Sequence, residues 1–134
     1  VIPALIRKVC EAMQSGEKEI EVWGTGSASR EFLYVADAAE GIVKATLDYE
    51  DAEPVNLGSG YEITIRELAE MVCEVCGFGG EIVWNHDKPD GQPRRCLDTN
   101  RARECFGFEA QTKLRDGILS TVNWFRQQRS KIAA

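Results

Sequence analysis

The chain has 134 residues, 22 acidic and 16 basic side chains, and a formal net charge of −6 at pH 7. This length is typical of one domain, and 43% hydrophobic residues are enough for a core without a metal or disulfides. An acidic chain lacks the excess of Lys and Arg that nucleic-acid backbones require. No apolar run approaches the roughly 20 residues that cross a bilayer, so we expect neither nucleic-acid nor membrane partners.

The first residues and the cysteines indicate the context of the chain. Residues 1–6 are already apolar and core-like, without an initiator Met or the basic segment of a signal peptide. We therefore expect a piece of a longer protein that carries no export signal. Five cysteines are an odd number for a disulfide framework, and reduced thiols in a cytoplasmic protein are the simplest interpretation.

Helices and short strands alternate in the first half of the chain. The predicted elements are a helix from Pro3 to Met13 ended by Gly16, a strand over 19–23, a turn over 24–27, a strand over 31–35, and a strand over 54–57. Asp37 and Glu40 fit a capping box. They open a predicted helix that carries Ile42, Val43, Thr46 and Leu47.

The second half contains the clearest helix signal. Thr64 and Glu67 form a capping box, Ile63 and Leu68 fit a hydrophobic staple, and Gly77 occupies the usual C-terminal position. The apolar stripe is Ile65, Leu68, Ala69, Val72, Val75 and Cys76. The remaining elements are a strand over 82–84, a polar loop over 85–93, a short helix from 98 or 99 to Gly107, a last helix from near Thr112 that buries Leu114, Ile118, Val122 and Phe125, and a fraying tail over 126–134. This pattern predicts an α/β fold, a small mixed domain with about four to five helices.

Several motifs have a structural interpretation that we favour over a functional one. Gly24 and Gly26 resemble the start of a dinucleotide fingerprint, but a strand follows where the pyrophosphate requires a helix, so we predict a hairpin turn. Cys73 and Cys76 fit half a zinc site or a redox pair, yet zinc needs four ligands and both thiols fall at core spacing. His86 fits a surface loop. We predict no metal site and no catalytic residue on this chain.

The basic residues indicate a ligand. Arg30 lies between a glycine-rich turn and a strand, and residues 88–95 place three cations in a stiff loop. Arginine forks match phosphate oxygens, and Trp23 is suited to stack on a base or cover a sugar. Composition alone leaves two interpretations open: a site for an anionic small molecule, or ordinary solvated arginines beside a half-buried Trp.

Three segments resemble the C-terminal part of the GDP-L-fucose synthase family. They are residues 22–26 with 30–35, residues 55–60 with 63–69, and residues 88–95 with 97–99 and 101–102. The likeness runs from Val1 to about Phe125. The first two segments recur in many nucleotide-sugar epimerases and dehydratases, whereas the Lys-Pro-Asp-Gly sequence at 88–91 resembles the fucose synthase branch specifically.

The resemblance implies a division of labour between two domains. The family consists of NADP-dependent 3,5-epimerase/4-reductases, which are oxidoreductases and isomerases of the extended short-chain dehydrogenase/reductase class. Their N-terminal Rossmann domain binds NADP(H) and carries the catalytic Ser/Tyr/Lys set, and their C-terminal domain closes over a GDP-sugar such as GDP-4-keto-6-deoxymannose. Residues 1–134 resemble the second domain only. We therefore expect a part of an enzyme that holds no cofactor and is inactive alone.

Carried over position by position, the resemblance implies a set of substrate contacts. They are Lys8, Trp23, Arg30, Asp90, Arg95 and, as a weaker candidate, Arg94. Arg95 stands where the family often has Lys, so a fork replaces a point charge. The apolar surface that packs on the Rossmann domain would be exposed in this chain, so we also expect a homo-oligomer.

Other interpretations remain open from the sequence. The chain also fits the C-terminal domain of another nucleotide-sugar epimerase or 4,6-dehydratase, with a UDP-, dTDP- or GDP-sugar as substrate. A different class is a free-standing, non-catalytic module that binds a nucleotide or a protein. A zinc or redox module built on Cys73 and Cys76 is the weakest alternative.

Overall fold

The computed structural model describes residues 1–132 and confirms the predicted α/β class. Its elements are α1 (Ile2–Ser15), β1 (Glu19–Trp23), β2 (Ser29–Glu31), α2 (Val35–Asp48), β3 (Glu62–Thr64), α3 (Ile65–Cys76), β4 (Glu81–Asn85), β5 (Arg94–Arg95), α4 (Asn100–Phe106) and α5 (Leu114–Ile132). The described part thus contains five helices, as expected, and short strands. None of its helices is long and apolar enough to cross a membrane.

The strands form two separate sheets. β1 pairs with β4 in parallel, and β2 lies between β3, which is antiparallel to it, and β5, which is parallel to it. The predicted hairpin between β1 and β2 is therefore wrong. The Gly24 amide donates instead to the Asn85 carbonyl at 2.9 Å, and Gly26 lies so close to the Trp84 ring that a Cβ would overlap it. These contacts bind the turn to β4 and direct the chain into the other sheet.

The main core lies between α1, α3, α5 and the β1–β4 sheet. Leu68 and Val72 of α3 are fully buried there, together with Ile6 of α1 and Val122 of α5. Each such side chain contributes about 1.5–3 kcal/mol by its removal from water. The predicted capping box is confirmed, because Thr64 and Glu67 exchange both side-chain hydrogen bonds at the start of α3.

Helix α2 departs from the prediction at its start. It begins at Val35, so the predicted strand over 31–35 ends at Glu31. Asp37 is not its N-cap. The buried Asp37 carboxylate lies in the first turn and accepts hydrogen bonds from the Thr112 amide and hydroxyl, both at 2.9 Å. This long-range contact takes up the oxygens that a capping box with Glu40 would have used.

The apolar side chains of α2 form an exposed stripe. Val35, Ile42, Val43 and Leu47 are each more than half exposed, up to 75% for Leu47. Gly41, on the other face, packs against Phe108 in a small second cluster. The residues predicted as a strand at 54–57 pair with no described strand.

The last helix is longer than predicted. α5 begins at Leu114 and continues to Ile132, so the chain does not fray at Arg126. One reason is that the Arg126 guanidinium donates to the Cys76 carbonyl at 2.7 Å, where α3 ends. Residues 133 and 134 of the predicted tail lie outside the described residues.

Candidate functional site

Two connecting segments run side by side between the two sheets. Residues 24–28 join β1 to β2, and residues 86–93 join β4 to β5; we call them the paired loops. They run in the same direction because β1 is parallel to β4 and β2 is parallel to β5. The Gly24 amide donates to the Asn85 carbonyl at one end, and the Ser29 amide donates to the Pro93 carbonyl at the other, both at 2.9 Å. All but one of the predicted substrate contacts lie on or directly beside these loops; Lys8 lies on α1.

Asp90 and Thr25 join the paired loops at their middle. The Thr25 amide donates to Asp90 Oδ1 at 2.6 Å, and the Thr25 hydroxyl donates to Oδ2 at 2.7 Å. These two hydrogen bonds hold the pKa of the Asp90 carboxyl below its ordinary value, the hydroxyl bond having the larger effect. The carboxylate also lies over Gly24, where any Cβ would overlap it.

Trp23 presents an open aromatic surface at one end of the paired loops. Its side chain is 61% exposed, and Lys88 Nζ lies 5.4 Å from the ring centroid, in cation–π range. Glu21 fixes this end, because its carboxylate accepts from Trp23 Nε1 and from Asn85 Nδ2, both at 3.2 Å. Lys8 of α1 donates to the Glu21 carbonyl at 2.5 Å.

Arginines occupy the other end. Arg30 of β2 and Arg95 of β5 are register partners, and register partners on adjacent strands project from the same sheet face. Arg30 Nη1 donates to the Ser29 carbonyl at 2.6 Å. Its Nη2 lies only 3.5 Å from where a Gly91 Cβ would stand, so the loop closes directly on this guanidinium. Arg95 is exposed and forms no ion pair with any described residue.

Arg94 differs from its neighbour because it already has an anionic partner. Its Nε and Nη2 donate to the Glu62 carboxylate at 2.9 and 2.7 Å. Glu62 also accepts a hydrogen bond from Ser29 Oγ. The Arg94 bonds, followed by that of Ser29, keep the pKa of Glu62 below its ordinary value. Arg94 is thus the least available cation of the predicted set.

Glu31 holds the strands behind the arginine end. Its carboxylate accepts from the Gly60 amide at 2.9 Å and from the Leu97 amide at 2.7 Å. Burial raises the pKa of Glu31, but the hydrogen bonds from these amides and the Cys96 thiol together outweigh it. The pKa of Glu31 therefore lies below its ordinary value. One carboxylate therefore ties β2 to two other segments, next to Arg30.

Arg66 supports the turn from α3. Its Nη2 donates to the Thr25 carbonyl at 2.6 Å, its amide donates to the Gly26 carbonyl at 3.0 Å, and its guanidinium carbon lies 4.5 Å from the Trp84 ring centroid.

Several residues that hold this site together were not predicted: Glu21, Thr25, Glu31, Glu62 and Arg66. Glu21 alone carried a usable signal, since residues two apart on a strand share a face and Glu21 precedes Trp23 by two. The partners of Glu31 and Arg66 are distant in sequence, so the strand and helix patterns do not reveal their roles.

The cysteines and the histidine lie in the surroundings that the sequence predicted. Cys73 and Cys76 are buried in the core beside Cys10, and burial raises the pKa of Cys76 to about 12. His86 is exposed in its loop. Among the described residues, no group of three or more His, Cys, Asp or Glu side chains is arranged to hold a metal ion.

Comparison with known proteins identifies relatives of this chain. Residues 1–58 match the NAD dependent epimerase/dehydratase family. The chain is 47% identical over 125 residues to GDP-L-fucose synthase 1 of Arabidopsis thaliana, covering 93% of this chain and 38% of that protein. It is 38% identical over 140 residues to GDP-L-fucose synthase of Escherichia coli K12, covering 98% and 43%.

A solved structure supports the same assignment. The GDP-L-fucose synthetase from Naegleria fowleri bound to NADP superposes with a TM-score of 0.90 at 28% identity, over 97% of this chain and 41% of that one. Residues 1–58 thus match the NAD dependent epimerase/dehydratase family. Over nearly its whole length, the chain is similar to GDP-L-fucose synthases and spans about two fifths of theirs.

Proposed function

We propose that residues 1–134 are the C-terminal, substrate-binding domain of an NADP-dependent nucleotide-sugar epimerase/reductase that makes GDP-L-fucose. The observation that carries this proposal is the register pairing of Arg30 with Arg95 at one end of loops whose other end presents Trp23. A nucleoside diphosphate sugar has a charged centre and planar or ring-shaped ends, which this arrangement matches.

The two arginines bind the diphosphate in this proposal. The diphosphate carries about two negative charges, and each charge-assisted hydrogen bond contributes about 1.5–3 kcal/mol. Arg30 is already oriented by the Ser29 carbonyl, which limits the conformational entropy that binding must remove. Arg94 contributes less, since Glu62 competes with the ligand for its guanidinium.

The other predicted contacts complete the site. Trp23 covers the base or the sugar with its exposed ring, and Lys88 on that ring adds positive charge to the same end. Lys8 lies beside this end through its bond to Glu21. Asp90 belongs to the site through the loop that it fastens to Thr25.

In this proposal, NADP(H) binds outside residues 1–134. The Gly24 turn leads into β2 rather than into a helix, so it lacks the helix N-terminus that receives a pyrophosphate. We assign the cofactor, and the catalytic Ser/Tyr/Lys set of the resemblance, to an N-terminal Rossmann domain outside this chain. The residues of this chain then bind and orient the GDP-sugar, and the chain alone is inactive.

The exposed stripe of α2 supports the presence of such a domain. Four large apolar side chains lie exposed on this helix. An exposed apolar helix face is what one layer of an α/β fold packs against the next. In the isolated chain, the same face supports a homo-oligomer.

The five free cysteines favour a cytoplasmic location.

Calorimetric titration with nucleotides tests the proposal. We expect the chain to bind GDP more tightly than UDP or dTDP, and Arg30→Ala to weaken GDP binding at least tenfold. Arg103→Ala, which removes an exposed arginine on α4, is the matched control and should leave the affinity unchanged. Equal affinity of wild type and Arg30→Ala would refute the assignment. Tighter binding of UDP or dTDP would support another nucleotide-sugar enzyme.

A further inference from the structure

We propose that Asp90 is a positioning residue, which acts on the bound nucleotide sugar through Thr25 rather than by contact. This inference rests on the proposed function. It concerns how the paired loops keep Trp23, Lys88 and Arg30 in one arrangement.

The Asp90 carboxylate is committed to the neighbouring loop. Each of its oxygens accepts one hydrogen bond from Thr25, at 2.6 and 2.7 Å, which are short, charge-assisted distances. A carboxylate next to a diphosphate would repel it, and the two Thr25 donors stabilise the negative charge of Asp90 without neutralising it. The geometry therefore favours a fastening role over direct contact with the anion.

The position of Asp90 in its loop explains what the fastening controls. Lys88, two residues earlier, lies over the Trp23 ring. Gly91, the next residue, lies against the Arg30 guanidinium. The Thr25–Asp90 contact thus lies between the aromatic end and the arginine end, and its loss would release the loop from both.

The other partner of this contact is held firmly. Arg66 donates to the Thr25 carbonyl at 2.6 Å, and the Thr25 hydroxyl lies 2.8 Å from Ser27 Oγ. Because Arg66 belongs to the well-packed helix α3, it holds the turn at residues 24–28 in place. Asp90 then fixes the position of the 86–93 loop relative to that turn. Gly24 provides the space for the carboxylate.

A double-mutant cycle tests the positioning role. GDP affinity is measured by calorimetry for wild type, Thr25→Val, Asp90→Asn, the double variant and Thr25→Ser. We expect each of the first two variants to weaken binding about tenfold and the double variant to weaken it no further, since both remove one contact. Thr25→Ser keeps the hydroxyl and should stay within about twofold of wild type. Thr46→Val and Asp48→Asn, on exposed parts of α2, are the matched controls.

Two outcomes would overturn the inference. If Asp90→Asn weakens binding while Thr25→Val does not, Asp90 is a ligand. If both variants lower the melting temperature but the folded proteins bind GDP as wild type does, the contact is only structural.

A spectroscopic readout separates this inference from the proposed function. If wild type binds no GDP, the proposed function fails, and the positioning role is then read from NMR spectra of the ligand-free chain. The Trp23 indole and Gly91 amide signals should shift together in Thr25→Val and Asp90→Asn, and in neither control. Signals that stay in place would refute the positioning role.

Discussion

Arg30 and Arg95 are register partners on the parallel strands β2 and β5. Arg95 makes no described ion pair, and Arg30 donates to one carbonyl, so the pair retains most of its donors for a ligand. Arg94, one residue away, is instead bound to Glu62. The alternation of side chains along a strand thus places neighbouring arginines in different environments.

The difference between Arg95 and Arg94 gives the first prediction. Arg95→Ala should weaken GDP binding about tenfold, because about one charge-assisted interaction is lost. Arg94→Ala should weaken it less than threefold, since Glu62 already holds that guanidinium, and should change the free energy of unfolding little, because an exposed ion pair is screened by solvent. Calorimetric titration and urea unfolding measure the two effects. A larger loss of affinity for Arg94→Ala than for Arg95→Ala contradicts this assignment.

Glu31 gives a prediction about pH. Its pKa is lowered in the folded chain, so its contribution to stability is complete above the unfolded-state value near 4.5 and is lost as the pH falls through the lower folded-state value. Glu31→Gln should lower the free energy of unfolding by about 1 kcal/mol at pH 7, since solvent screens this partly exposed carboxylate, and by less at pH 3. Urea unfolding at both pH values measures this, with Glu104→Gln on the exposed face of α4 as the control. An equal deficit at both values would show that the carboxylate charge is unimportant.

Leu68 gives a prediction about the core. It is fully buried between α1, α3 and α5, so Leu68→Ala should lower the free energy of unfolding by about 2–5 kcal/mol. Leu119→Ala, at a half-exposed position of α5, should cost less than about 1 kcal/mol. Thermal and urea unfolding provide the values, and similar losses for both variants would mean that the core is packed differently.

The α2 stripe gives a prediction about assembly. The isolated chain should self-associate as its concentration rises, because Ile42, Val43 and Leu47 expose apolar surface on one face. Leu47→Glu should shift the chain to monomers without loss of stability, and Leu119→Glu on α5 should not. Light scattering coupled to size-exclusion chromatography measures this. A wild-type chain that remains monomeric at high concentration would contradict the prediction.

Local signals in the sequence were sufficient for α3, whose capping box and C-terminal Gly77 involve only neighbours along the chain. Long-range contacts explain the failures. The hairpin prediction failed because the partner of β1 is β4, and the cap at Asp37 failed because Thr112 takes its oxygens. The strand predicted at 54–57 failed because it has no partner among the described residues, and an apolar pattern alone does not show whether a pairing strand is present.

The contrast between local signals and long-range contacts also holds for the candidate site. Residue types and the Lys-Pro-Asp-Gly sequence were enough to select Arg30, Trp23 and the 88–95 loop. They did not reveal that Arg94 is paired or that Asp90 is fastened to Thr25, since those partners lie 32 and 65 residues away.

The most direct test of the account is a titration of the ¹⁵N-labelled chain with GDP, followed by amide chemical shifts. We expect the largest shifts at residues 23–30 and 88–95, and little change on α2 or α4. Shifts confined to other parts of the chain, or none at millimolar GDP, would contradict the claim that the paired loops bind a nucleotide sugar.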